Sequence, residues 1–283
     1  MKQNEHYQGK FCAITRDKRK RWLGLVAALG AVILLILLAV AGILLHNHNA
    51  ERDLEALAAQ VTTGIQTTVP TVEETQPETT APTTMPTEET QPPEVLPQYA
   101  QLADQNPEMV GWIRIEDTNL NYPVMHTPED PQKYLHLSFE EEYSYPGVPF
   151  IDASCTMDSD NLLIYGHNMP NGTMFRSLMK YQEKNYWQAH PTICFDTLYE
   201  EQEYEVLAAF YDRVYYKTED VFKFYQFIDA EDERDFDNAI AQFQSKALYD
   251  TGVTATYGDK LITLVTCAYH TDNGRFVVVA KRK

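Results

Sequence analysis

The chain has 283 residues, 44 % of them hydrophobic, with 23 Lys and Arg against 41 Asp and Glu and a formal charge of −18. Such an acidic balance argues against a polyanion such as DNA or teichoic acid as the main ligand, because the mean field repels it. The charge is also uneven: up to Leu45 seven basic residues stand against Glu5 and Asp17, while the remainder carries 16 basic and 39 acidic residues.

Trp22 to Leu45 is a run of 24 residues without a charge, dominated by Leu, Val, Ile and Ala. As a helix it spans about 36 Å, enough for a hydrocarbon core of about 30 Å with some tilt. A cleavable signal peptide would have a shorter apolar region and a small-residue cleavage site, for which Leu44-Leu45-His46-Asn47 is poor. The run is therefore read as an uncleaved transmembrane anchor over residues 22–45. Arg16, Lys18, Arg19, Lys20 and Arg21 precede it and only Arg52 follows closely, which places residues 1–21 in the cytoplasm as a basic tail and the rest outside. That orientation accounts for the basic cluster without a nucleic-acid role.

Residues 46–97 read as an extracellular stalk. A short helix over 50–60 comes first. Between Val61 and Gln98 then lie twelve threonines and seven prolines, with no aromatic residue, Lys or Arg. Such a segment cannot bury enough apolar surface to offset its ordering entropy, so a disordered spacer is expected.

From residue 98 the sequence becomes periodic, and about 185 residues suffice for one domain with one core. A short helix is expected first, in QYAQLADQNPEMVGWI. Strands are expected at 110–116, 119–125, 148–153, 162–165, 192–196, 203–214, 261–266 and 276–281, and helices at 173–181 and 231–248. Eight strands with few helices suit a closed or partly closed β-barrel. Three cysteines lie in the exported part, so at least one thiol is free unless it pairs between molecules. Cys155 and Cys194 read as buried thiols, with a mutual disulfide as the lesser option. No CxxC and no His/Cys pair at zinc spacing occurs, so neither a metal nor another cofactor is expected.

Chemistry concentrates in two places. The apolar run Leu261-Ile262-Thr263-Leu264-Val265-Thr266 delivers Cys267 at a strand tip, and Arg275 opens the next strand eight residues later. Such a cysteine is either a small buried hydrophobe or a nucleophile, and an adjacent cation favours the second by stabilising thiolate. A hundred residues upstream, Asn161-Leu162-Leu163-Ile164-Tyr165 is another apolar strand, ending in His167 at a glycine turn. His270 is nearer Cys267 in sequence but lies in the Cys–Arg loop, and His126, His136 and His190 sit in loop-like contexts that suggest surface positions.

LLIYGHNM, TLVTC and GRFVVVAKR, in that order, resemble the sortases, the membrane-anchored cysteine transpeptidases of Gram-positive bacteria. The resemblance covers about 97–283. It is most like class B, because Asn119-Leu120-Asn121-Tyr122-Pro123-Val124 matches that class's early strand pair and the insert between residues 214 and 260 has room for its extra helix. It implies an eight-stranded barrel with peripheral helices, one of them beside the substrate groove. It also implies Cys267 as nucleophile, His167 as general acid and base, and Arg275 as the cation on the substrate carbonyl. Carried over by position, Asn121 and Tyr165 are candidate substrate contacts; Thr266 either orients substrate or fills strand space. A main-chain N–H after His167 is a candidate oxyanion donor.

The implied activity is cleavage of a C-terminal sorting signal after threonine, through a Cys thioester, and transfer to a cell-wall amine. The implied partners are surface proteins bearing that signal, with a peptidoglycan precursor as acceptor. A pilin-polymerising sortase using a pilin lysine is the alternative. Another cell-wall cysteine peptidase is a weaker one, since no SHGC-type motif occurs and the histidine that the resemblance selects, His167, precedes Cys267. A catalytically dead adhesin or sensor would have lost one of His167, Cys267 and Arg275.

Overall fold

The computed structural model describes residues 2–67 and 93–283; the Thr/Pro-rich stalk lies mostly outside them. Two compact units divide the chain, Met1–Asn49 and Ala50–Lys283. Helix α1 (Lys2–Thr67) supplies the first unit with its residues up to Asn49 and continues into the second. Its apolar part reaches a mean hydropathy of 3.0 and is long and apolar enough to cross a membrane.

The second unit is a closed barrel of eight strands. The strands are β1 (Met109–Arg114), β2 (Asn121–Met125), β3 (Phe150–Ile151), β4 (Asn161–Tyr165), β5 (Thr192–Thr197), β6 (Glu203–Arg213), β7 (Leu261–Cys267) and β8 (Gly274–Arg282). Their order around the barrel is β1-β2-β3-β4-β7-β8-β6-β5. The pairs β2–β3 and β4–β7 are parallel and the other six antiparallel. Since parallel neighbours need a long crossover, the segment between β4 and β7 leaves, builds two further strands, and returns. That detour brings a histidine and a cysteine a hundred residues apart onto adjacent strand ends.

β7 is buried from Leu261 to Thr266 and half-exposed only at Cys267. Its β-branched run is covered on both faces, so it reads as continuous rather than alternating. β8 repeats the pattern, with Phe276–Ala280 buried and Arg275 partly exposed. The thiol and the guanidinium thus sit where burial ends.

Short helices decorate the barrel: α2 (Pro97–Gln105), α3 (Lys184–Ala189) and α4 (Glu233–Lys246). α3 was not expected. The helix expected at 173–181 forms instead as a 3-10 helix, Phe175–Gln182. Its buried Phe175, Leu178 and Tyr181 recur every third residue, the period of three residues per turn. α4 is capped by Asp232, whose side chain accepts from Asp235 N at 2.8 Å. Its Phe243 stacks on Phe210 of β6 at 6.1 Å, and Lys246 pairs with Asp212 of β6 at 3.0 Å. α4 therefore packs on the β6 side.

The short helix expected within the stalk exists as the outer part of α1, but it is not free. Leu54, Leu57 and Val61 are buried at helical spacing and join the barrel's core cluster. Glu51 accepts from the Asn171 side-chain amide.

Candidate active site

The site is built on the ends of β4, β7 and β8. Cys267 and Arg275 are directly opposite in the antiparallel ladder, so their side chains leave the same face with Cβ atoms about 5 Å apart. β4 lies parallel on the other edge of β7, Tyr165 opposite Val265, and Gly166 N donates to Val265 O at 3.1 Å. The next residue is His167. A Cβ on Gly166 would lie 2.6 Å from the Phe175 ring, so only glycine lets the chain turn there with Phe175 packed beneath.

Two side chains fasten the histidine turn to the cysteine strand. The Thr266 hydroxyl donates to Gly166 O at 2.8 Å, and Asn168 Nδ2 donates to Cys267 O at 2.7 Å. Arg176 Nη1 holds Asn168 Oδ1 at 3.0 Å. Thr266, a candidate substrate contact, is buried with its hydroxyl engaged inside the protein. Sequence reasoning missed Asn168 and Arg176, although both are polar residues close after the histidine.

His167, Cys267 and Arg275 line a single cleft of about 500 Å³, walled by Leu135, Val148, Phe150 and Tyr165. His167 is half-buried, and its Nε2 lies 3.0 Å from Leu135 O. A carbonyl only accepts, so Nε2 carries the proton and Nδ1 is the basic nitrogen of the neutral ring. Burial lowers the His167 pKa below the ordinary 6.5, with the charge on nearby His136 adding to it and the Leu135 contact opposing. Of the Arg275 guanidinium, Nη1 donates to Gly274 O at 2.9 Å and Asn273 O at 3.3 Å.

Tyr165 is in the cleft wall. Its hydroxyl donates to Asp152 Oδ2 at 3.0 Å, and burial together with that carboxylate pushes the phenol far above its usual range. Asn121 lies outside the cleft lining. Its Oδ1 accepts from Trp112 Nε1 at 2.6 Å, and it faces a groove of about 340 Å³ shared with Glu51, Glu55 and Thr173. α4 contributes nothing to the cleft wall. His270 is exposed and sits edge-on to Tyr211 at 4.8 Å, away from the lining.

His136 corrects a sequence expectation. Read as a plain surface residue, it stacks on His167 with ring centroids 5.3 Å apart. Its neighbourhood in sequence is loop-like, and nothing local signals that the loop closes over the histidine turn. Cys155 and Cys194 are free and buried. Burial pushes both thiols up, Cys155 to about 11, so neither competes as a nucleophile.

Comparison with known proteins agrees with this fold. A sortase-domain family model matches residues 113–283. The chain is 34 % identical over 194 residues to sortase B of Listeria monocytogenes, covering 66 % of this chain and 75 % of the relative. It is 32 % identical over 191 residues to sortase B of Staphylococcus aureus, with the same coverage. A solved Staphylococcus aureus sortase B–substrate complex superposes with a TM-score of 0.67 at 26 % identity, over 84 % of this chain and 98 % of that one.

Proposed function

The chain belongs to the sortase family and is a sortase B-like cysteine transpeptidase, and we propose that it works on exported proteins from a membrane anchor. In this reading residues 22–45 span the membrane and the N-terminus is cytoplasmic. The barrel then stands outside, where it cleaves a C-terminal sorting signal after threonine and joins the new carboxyl to a cell-wall amine. The observation that carries the chemistry is the in-register pair Cys267–Arg275 with His167 on the adjacent strand end, all open to one cleft.

The Cys267 thiol gives its proton to Nδ1 of His167 as the sulfur attacks the threonine carbonyl carbon, and the C–O π electrons move onto oxygen. Arg275 stabilises that developing negative charge through the Nε and Nη2 side of its fork. Collapse of the tetrahedral adduct breaks the C–N bond as His167 donates a proton to the leaving amine, leaving a thioester. The acceptor amine then attacks the thioester while His167 removes its proton and passes it to the departing Cys267 sulfur, which restores the thiol and the neutral ring. Low basicity suits the ring to this exchange, because a depressed pKa makes the imidazolium a stronger acid. Tyr165 serves as a cleft wall toward the substrate. Thr266 acts by holding the histidine turn.

Mass spectrometry of the full-length chain with a panel of sorting peptides and amines tests the proposal. A thioester on Cys267 resolved by an amine into an amide is expected. Adducts on another residue, or hydrolysis of the peptides without a thioester, would reject it.

A further inference from the structure

His167 is held by two consecutive residues of one loop. Leu135 meets the edge of its ring through a carbonyl 3.0 Å from Nε2, and His136 covers its face at 5.3 Å with the ring planes 24° apart. A third ring joins them: Tyr145 lies 6.0 Å from His136 and 6.3 Å from His167, at 20° and 16°. The stack is built in. His136 Nδ1 donates to Tyr145 O at 3.1 Å, and Ser144 N donates to His136 O at 3.0 Å. The loop itself is anchored by buried Tyr134, whose hydroxyl donates to Glu108 at 2.6 Å and accepts from Asn106 at 2.8 Å.

We propose that His136 is a positioning residue for the transfer reaction: stacked on His167, it fixes the plane in which the acid–base imidazole works and sets how readily that imidazole takes up a proton. The inference rests on the acid–base role of His167 argued above. An imidazole able to rotate would meet the sulfur and the two amines at different angles, and proton transfer depends steeply on such angles. A face-on neutral ring stabilises a cationic His167 through its π electrons. A protonated His136 does the opposite, because two positive charges then lie about 5 Å apart. Stacking and charge therefore pull in different directions, and substitutions separate them.

The groups around the pair come from several elements. Tyr143 and Tyr145 face it from the same loop. Asp152 after β3, Tyr165 at the end of β4, Cys267 of β7 and Arg275 of β8 share the cleft. None of them changes under the substitutions below.

The test uses the full-length chain in detergent with ring-labelled histidine, the His167 resonance being assigned from its loss in His167→Gln. His136→Phe keeps a flat ring that cannot take up a proton, whereas His136→Asn removes the ring. The NMR midpoint of His167 is expected to rise by about half a pH unit in His136→Phe, the size expected of two unit charges at this separation in a water-like dielectric. The limb of the thioester-formation profile that reports His167 should move with it, its plateau rate within about threefold of the parent. In His136→Asn the plateau rate should fall on the order of tenfold as the ring loses its fixed plane. His136→Gln serves if the Asn variant fails to fold by circular dichroism. A His167 midpoint that stays at the parent value in both the Phe and the amide variant overturns the inference, whatever the rates do. An active His167→Ala chain would instead refute the acid–base assignment beneath it.

Discussion

The side-chain amide of Asn168 donates a 2.7 Å hydrogen bond to the main-chain carbonyl of Cys267. The residue after His167 thereby grips the backbone of Cys267. Asn168 is buried, and its own oxygen is held by Arg176, so the tie cannot be taken over by water without cost. Asn168→Ala is expected to reduce kcat/KM by about tenfold while costing about 1–2 kcal/mol of stability, the usual loss for a buried hydrogen bond. Peptide-transfer kinetics and thermal denaturation measure both. Unchanged kinetics would show that β4 and β7 hold the pair without it.

Cys267 is half-exposed at a strand tip, so Cys267→Ala removes one sulfur without opening a cavity. Thioester formation should disappear while stability changes by less than about 1 kcal/mol. Intact-mass spectrometry and a melting curve decide it. A thioester at parental yield in the variant would place the nucleophile elsewhere.

His167 and His270 separate cleanly. His167→Ala should lower turnover at least about 100-fold, the low end expected of a general acid–base group. His270 rests on Tyr211 outside the cleft lining, so His270→Ala should cost less than about tenfold. Reversal of the two effects would move the base to the Cys–Arg loop.

Stability should depend on pH in two steps. Burial depresses the pKa values of His126 and His167 below 6.5. The unfolded chain therefore binds protons near 6.5 that the folded chain resists, and stability falls as pH drops through 6.5 toward the folded midpoints. Glu108 and Glu203 are lowered from 4.5. For Glu108 burial opposes the shift but hydrogen bonds from Lys133 and Tyr134 prevail; for Glu203 the hydrogen bond from Lys283 dominates. Their contribution is present above 4.5 and lost as pH falls below it. Calorimetry from pH 8 to pH 4 should show the melting temperature already dropping between 7 and 5.5, before the carboxylates titrate. A flat response in that window would contradict the buried, neutral state of the two histidines.

Truncation tests the boundary of the domain. A chain starting at Gln98 keeps every strand and should fold, but it lacks Leu54, Leu57 and Val61, which are buried in the second unit. Each buried apolar side chain is worth about 1.5–3 kcal/mol, so a chain starting at Ala50 should melt at least about 5 °C higher. Equal melting temperatures would show that these side chains add no stability.

Periodicity placed all eight strands and the helix at α4 near their observed positions, because each reports on local burial: a run of β-branched residues has few other ways to hide. The uncharged apolar run was legible as one long helix by its length and composition alone. The strand tips bearing His167, Cys267 and Arg275 were legible for the same reason, since a polar residue ending an apolar run marks where a strand emerges. Several things were decided only by the closed barrel. The adjacency of β4 and β7 pairs residues a hundred apart and depends on a crossover that no local pattern encodes. The packing of Leu54, Leu57 and Val61 made part of the expected stalk a piece of the second unit. Asn121 turned to Trp112 because the β1–β2 register makes the two diagonal cross-strand neighbours. His136 became the neighbour of His167 because Tyr134, anchored by Glu108 and Asn106, pulls its loop across the cleft. Contacts of that kind are made between distant segments by three-dimensional packing, and a linear pattern records only what each residue does for its own element.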